Sequence, residues 1–142
     1  MSSFTDNVNI SPLPQDNLRI TTAPFCYWTE VTGERIDITI PSMYRTDAGS
    51  IPRLFQRLIP KLEPRSISCY ILHDYIYTDY RQVGKIYADL ILVEALWIMW
   101  VPLRKIFLIR LGLTLWGWWV WYKFKKRIIG LKNKVLQFFD II

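Results

Sequence analysis

The chain has 142 residues, is 51% hydrophobic and carries a formal net charge of +6, which fits one domain with an apolar core and leaves little room for two. Cys26 and Cys69 have no metal-like spacing, so a disulfide framework and the usual zinc ligand sets are disfavoured and free thiols in a reducing compartment are expected. Residues 1–23 are polar, without a basic n-region or an apolar h-region; they read as a loosely ordered N-terminal arm, not a secretory signal, ahead of a single domain over 24–142.

From Phe25 to Val31 the pattern predicts a strand, Thr32-Gly33 a turn, and the alternation of Ile36, Ile38 and Ile40 with Arg35, Asp37 and Thr39 a second strand, hence a β-hairpin. The segment PSMYRTDAGSIPR follows as a loop, and Pro52 opens a short helix through Leu54, Phe55, Leu58 and Ile59. Pro60 and Pro64 break the chain again.

Ser66 is placed to cap a helix that runs to about Tyr77 and contains CYILHDYIY. On a helical wheel Ile67, Ile71 and Asp74 share one side, while Cys69, Leu72 and Ile76 lie on the other, so a mostly buried helix is expected. A second helix is predicted over Gln82 to Trp100, with its apolar stripe at Ile86, Leu90, Val93 and Trp97 and Asp89 on the border. The expected architecture is therefore α+β, an N-terminal β-hairpin and loop packed on a bundle of three to four helices.

Pro102 starts the last major helix. Ile106 to Tyr122 is 17 residues with one charge, Arg110, followed by a basic cluster. That approaches a membrane span with an aromatic belt, but its length is at the lower limit, Arg110 is costly inside a bilayer, and Arg104 and Lys105 place positive charge at the other end too. A buried or interfacial helix is preferred, with Trp116, Trp118, Trp119, Lys123, Lys125, Lys126 and Arg127 as the contact surface for a partner. Leu131 to Ile142 reads as a short amphipathic terminal helix.

Charge is distributed unevenly. No acidic residue falls between Glu94 and Asp140, whereas nine of the 18 basic residues do. Such a segment fits an acidic protein, anionic lipid, nucleic acid or a solvated helix surface, and all four stay open at this level.

Four polar residues stand in apolar or turn-like surroundings: Asp47 in RTDAGSIP, His73 and Asp74 in LHDYIY, and Asp89 in YADLIL. If the two helices pack antiparallel, Asp74 and Asp89 come together and Asp47 completes the group. Oxygen ligands with one imidazole suit Mg²⁺ or Mn²⁺, and such a cation activates water for hydrolysis; His73 and Asp74 would then be the catalytic pair. With one histidine in the chain, zinc is disfavoured. A Ser50, His73, Asp triad lacks the G-x-S-x-G elbow. The bland alternative is that the carboxylates accept hydrogen bonds from turn amides, tyrosines or basic side chains and clamp the irregular loop. Tyr70, Tyr75, Tyr77, Tyr80 and Tyr87 could stack a sugar or base, or simply form core and rim.

The ordered set ITIPSMYRTDAGSIPR, LHDYIY, YADLILVEAL and WGWW, spanning about residues 24 to 122, resembles a family of small tailed-bacteriophage and prophage proteins known as a domain of unknown function. That family shows T-D-x-A-S-I-P, then L-H-D-x-x-Y, then A-D-x-x-F. The resemblance points at Thr46, Asp47, Ser50, Ile51 and Pro52, at His73, Asp74 and Tyr77, and at Ala88 and Asp89; the chain departs from the pattern at Ala48-Gly49 and Ile91-Leu92. It implies viral origin and a shared fold, and supplies no activity.

The first expectation for function is a bacteriophage virion-associated or assembly accessory protein, in the virion or host cytoplasm, that docks onto other phage structural proteins through its aromatic and basic C-terminal region. The alternatives are a metal-dependent hydrolase of cell envelope or nucleic acid using Asp47, His73, Asp74 and Asp89, and a membrane-associated infection protein. Homo-oligomerisation and nucleic-acid binding through the basic region are further partner expectations.

Overall fold

In the computed structural model the described residues are 2–5, 8–13, 19–46, 66–80, 82–115, 117–118 and 121–122. They form six short strands and three helices in an α+β arrangement.

The expected hairpin is present. β4 (Phe25–Thr29) pairs antiparallel with β5 (Ile36–Ile40), Tyr27 opposite Ile38 and Thr29 opposite Ile36. Period-two alternation buries Phe25, Tyr27, Thr29, Ile38 and Ile40 and leaves Asp37 and Thr39 exposed. The turn closes with Gly33 N–H donating to the Glu30 carbonyl, and Gly33 has φ of 93°, a left-handed conformation that glycine adopts without a Cβ clash.

The segment before Pro24, expected to be a loosely ordered arm, contributes three strands. β1 (Ser3–Phe4) adds to β4, giving a sheet ordered β1-β4-β5. β2 (Ile10–Pro12) and β3 (Arg19–Thr21) pair with each other, and β3 also pairs with β6 (Arg45–Thr46), giving a second sheet ordered β2-β3-β6. Pro12 sits on the edge strand of that sheet, where a missing N–H does least harm. These strands are two or three residues long and mostly polar, so no local periodicity marks them; distant partners create them.

Thr21 holds the path from β5 to β6. Its buried hydroxyl donates to the Pro41 carbonyl (2.8 Å) and accepts from Tyr44 N–H (3.0 Å), while its own carbonyl accepts from Met43 N–H (2.7 Å). Met43 is thereby kept at φ of 65°, a conformation unfavourable to a residue with a Cβ.

The first helix, α1 (Ile67–Thr78), matches the predicted one, with Ser66 at the N-cap position. The Ser66 side chain makes no capping bond; its carbonyl accepts from Tyr70 N–H. α2 (Lys85–Ile98) starts after Gly84. Its predicted apolar stripe is corrected: Ile86 and Trp97 are 63% and 62% exposed, and the buried face is Lys85, Ala88, Ile91, Leu92, Ala95 and Leu96. The two faces lie on nearly opposite sides of the wheel. A helix apolar almost all round offers either face by periodicity, and the small Ala88 and Ala95 allow α2 to pack closely against its neighbours.

α2 ends in a Schellman closure, with Trp100 N–H donating to the Trp97 carbonyl and Val101 N–H to the Leu96 carbonyl. The left-handed position, usually glycine, is Trp100 at φ of 58°. Val101 is buried, as is Leu96, the hydrophobic pair that accompanies this motif. Pro102 then caps α3, accepting from Lys105 and Ile106 N–H groups. α3 covers 103–115, and residues 117, 118, 121 and 122 are also helical. Ile106 and Ile109 join the core formed by the inner face of the β1-β4-β5 sheet, α1 and α2.

Among the described residues no helix is long and apolar enough to cross a membrane. The expected helix over 54–59 and the terminal helix over 131–142 lie outside the described residues.

Candidate functional site

α1 places His73 and Tyr77 one turn apart on one edge, and α2 places Lys85 and Asp89 one turn apart on the edge that faces it. The other three converge on the Asp89 carboxylate. Oδ1 accepts from Tyr77 OH (2.6 Å) and lies 3.1 Å from His73 Nε2; Oδ2 accepts from Lys85 Nζ (2.5 Å). Against an ionised carboxylate Nε2 is the donor.

Nδ1 has no partner among the described residues, and none of their buried side-chain nitrogens or oxygens lacks one. Nδ1 therefore reaches solvent. Lys85 is the opposite case: its side chain is 4% exposed, its Nζ also lies 3.4 Å from the Leu113 carbonyl, and it sits 5.1 Å from the centre of the Trp118 ring.

Burial, the largest single influence on Asp89, raises its pKa, but hydrogen bonds from His73, Lys85 and Tyr77 together outweigh it and hold the carboxyl below its usual value. Burial and then the Asp89 carboxylate push the Tyr77 phenol upward. Asp89 thus stays ionised and Tyr77 stays neutral, each state favouring the other.

The cluster also fastens α3. Tyr77 meets the Trp121 ring edge-on at 4.9 Å. A Cβ at Gly117 would stand 3.1 Å from Lys85 Nζ and 3.5 Å from Tyr77 OH. The glycine of WGWW therefore belongs to this contact, since any larger residue would press on the lysine.

The expected meeting of Asp74 with Asp89 does not occur. Asp74 turns to the second sheet, where Oδ2 accepts from Thr46 Oγ1 (2.6 Å), and His73 takes the place beside Asp89. The cause is the face of α2 that is buried: with Lys85, Ala88 and Leu92 inward, Asp89 is carried to the 73/77 edge of α1. Nearby, the Tyr44 hydroxyl lies 2.9 Å from Thr78 Oγ1 and its ring meets Tyr75 edge-on, so β6 and the preceding turn are clamped to α1. Of the remaining tyrosines, Tyr70 and Tyr77 are buried and Tyr75 stacks with Tyr80, as core and rim residues do.

Among the described residues no group of three or more His, Cys, Asp or Glu is placed to hold a metal ion. Asp47, the fourth member of the expected set, lies outside them, as do Ser50, Pro52, Trp116, Trp119, Lys123, Lys125, Lys126 and Arg127.

A second carboxylate centre escaped the sequence reading. Glu94 accepts from Ser2 Oγ (2.5 Å), Thr29 Oγ1 (2.6 Å) and Tyr27 OH (2.9 Å), joining the N-terminal segment, β4 and α2. The available signal was Tyr27 and Thr29 on the inward face of β4, two hydroxyls that need an acceptor, with Glu94 in an otherwise apolar helix. Lys85 was also missed; its signal was the four-residue spacing to Asp89.

With these elements placed, sequence comparison supplies the family. The profile of DUF1353, described as a protein of unknown function, matches residues 20–109, more than half of the chain. The chain belongs to the DUF1353 family. The match runs from β3 into the first turns of α3 and includes Thr46, His73, Asp74, Tyr77, Lys85, Asp89 and Glu94. Gly117, Trp118 and Trp121 lie beyond it. Neither the curated proteins nor the solved structures contain a match.

Within the DUF1353 domain, an imidazole oriented by a half-buried carboxylate and open to solvent through its other nitrogen is able, when neutral, to accept a proton from water or a hydroxyl. The same network, with every other polar atom satisfied, also serves as a polar pin between three helices.

Proposed function

We propose that the protein is a bacteriophage virion-associated or assembly accessory component, in the virion or the host cytoplasm, which docks onto another phage protein through its C-terminal helical region. One observation carries the docking part. While Ile106 and Ile109 fasten α3 to the core, its other side presents Leu103, Phe107, Leu111 and Leu115 to solvent, Phe107 at 67% exposure, and Trp118 and Tyr122 after it are exposed as well. An apolar ridge of that length on a folded chain marks an interaction surface. Viral origin rests on the motif resemblance. Mass spectrometry of washed, purified particles is the test: the chain should be retained at a fixed stoichiometry, and its loss on washing rejects the reading.

A second reading, hydrolysis of a cell-envelope or nucleic-acid bond, draws on the solvent-facing Nδ1 of His73 behind Asp89. Here His73 is the general base, and Asp89 positions it. Asp89→Asn and His73→Gln should abolish hydrolysis while the fold survives, and a rise in melting temperature with Mg²⁺ or Mn²⁺ would bring the cation back into the mechanism. Retained hydrolysis in both variants removes the reading.

A further inference from the structure

The apolar ridge on α3 has a definite shape and charge. Leu103, Phe107, Leu111, Leu115, Trp118 and Tyr122 are separated by 4, 4, 4, 3 and 4 residues, the three- and four-residue spacing that lines one face of an α-helix. From Leu103 to Leu115, within α3, the ridge is about 18 Å long at 1.5 Å per residue. On the wheel, exposed Arg104 and Arg110 fall on opposite flanks of the seam. No acidic residue is present between Glu94 and Asp140, so no register of α3 against α3 of a second copy brings opposite charges together.

Trp100 precedes the ridge by three residues, in the turn that ends α2. It is 85% exposed and held at φ of 58°, where glycine would be unstrained. An aromatic side chain kept outside the core at a strained position is a mark of contact with something else.

We infer that the α3 ridge receives an acidic amphipathic helix of the partner, at least about three turns long, with apolar residues at three- and four-residue spacing and Glu or Asp on its flanks against Arg104 and Arg110. The inference rests on the docking reading above and names the chemistry of the partner. Burial of the seam supplies affinity, and the charged flanks supply register and rate.

Full-length chain carrying a photoreactive benzoylphenylalanine in place of Phe107, which is not part of the core, tests it in particle-producing cells. Irradiation should link residue 107 to a segment of another protein that is acidic and has the apolar spacing of a helix, identified by mass spectrometry of the adduct. The double variant R104E/R110E should lower adduct yield at least tenfold with an unchanged melting temperature. An adduct to a second copy, to lipid, or to a segment without acidic flanks overturns the inference, as does no adduct or a yield indifferent to the double variant. The broader reading fails separately: an acidic-helix adduct in cells together with absence from purified particles removes the virion location and leaves the partner chemistry standing.

Discussion

Lys85 Nζ lies 2.5 Å from Asp89 Oδ2, one turn along α2, with the lysine almost wholly shielded from water. Removing one charge strands the other. Lys85→Met should therefore cost about 3 kcal/mol, near the lower end for a broken buried pair because Asp89 retains His73 and Tyr77. Adding Asp89→Asn should recover part of the loss. Urea denaturation of the two single variants and the double variant measures the coupling; strict additivity would show that the pair contributes nothing.

The same carboxylate sets an acid limit on stability. Asp89 has a lower pKa folded than unfolded, so its contribution is present above about pH 4, the ordinary carboxylate value, and is lost as pH falls through the folded value. Asp89→Asn should flatten the stability curve in that acid window. Equilibrium unfolding between pH 6 and pH 2 in buffers of matched salt reads the difference.

On the alkaline side the sign reverses. Burial pushes the Cys69 thiol up to about 12 and, with Asp89, raises the Tyr77 phenol. Both groups favour folding below their unfolded values and lose that contribution as pH rises through the folded ones. Reactivity follows: iodoacetamide at pH 8 should label half-buried Cys26 and leave buried Cys69 unmodified until the chain unfolds. Equal labelling rates under native conditions would contradict the burial of α1.

Trp100 separates stability from contact. Trp100→Gly removes a left-handed non-glycine residue that buries little and should raise stability by roughly 0.5–1 kcal/mol. It should also weaken partner capture. Thermal unfolding and the yield of the residue-107 adduct are the two readouts, expected to move in opposite directions.

Glu94 accepts three hydroxyl hydrogen bonds from two other parts of the chain. Glu94→Ala leaves Tyr27 and Thr29, both buried, without their acceptor and should cost about 2–4 kcal/mol. The double variant T29V/E94L, in which the carboxylate and one of its three donors become apolar, should be less destabilised than Glu94→Ala alone. A smaller cost for Glu94→Ala than for the double variant would mean that water replaces the carboxylate.

What was readable in advance follows the range of the interaction. The β4/β5 hairpin and the limits of α1 were evident because they depend on neighbours: period-two alternation around a Gly33 turn, and an unbroken apolar run after Ser66. His73, Asp74 and Asp89 stood out because polar residues in apolar surroundings need partners, and Tyr77 through the family resemblance. Strands β1, β2, β3 and β6 were not evident, since each is short and exists only through a distant mate.

Sequence by itself also determined the segregation of charge, with no acid between Glu94 and Asp140, and the concentration of tryptophan in the same region. Only tertiary structure decided which face of α2 is buried, because periodicity in a helix apolar nearly all round does not choose between faces; the surfaces packed against it do. That one choice carried Asp89 to His73 and Tyr77 and shielded Lys85, while the burial of Ile106 and Ile109 left the ridge of α3 facing outward.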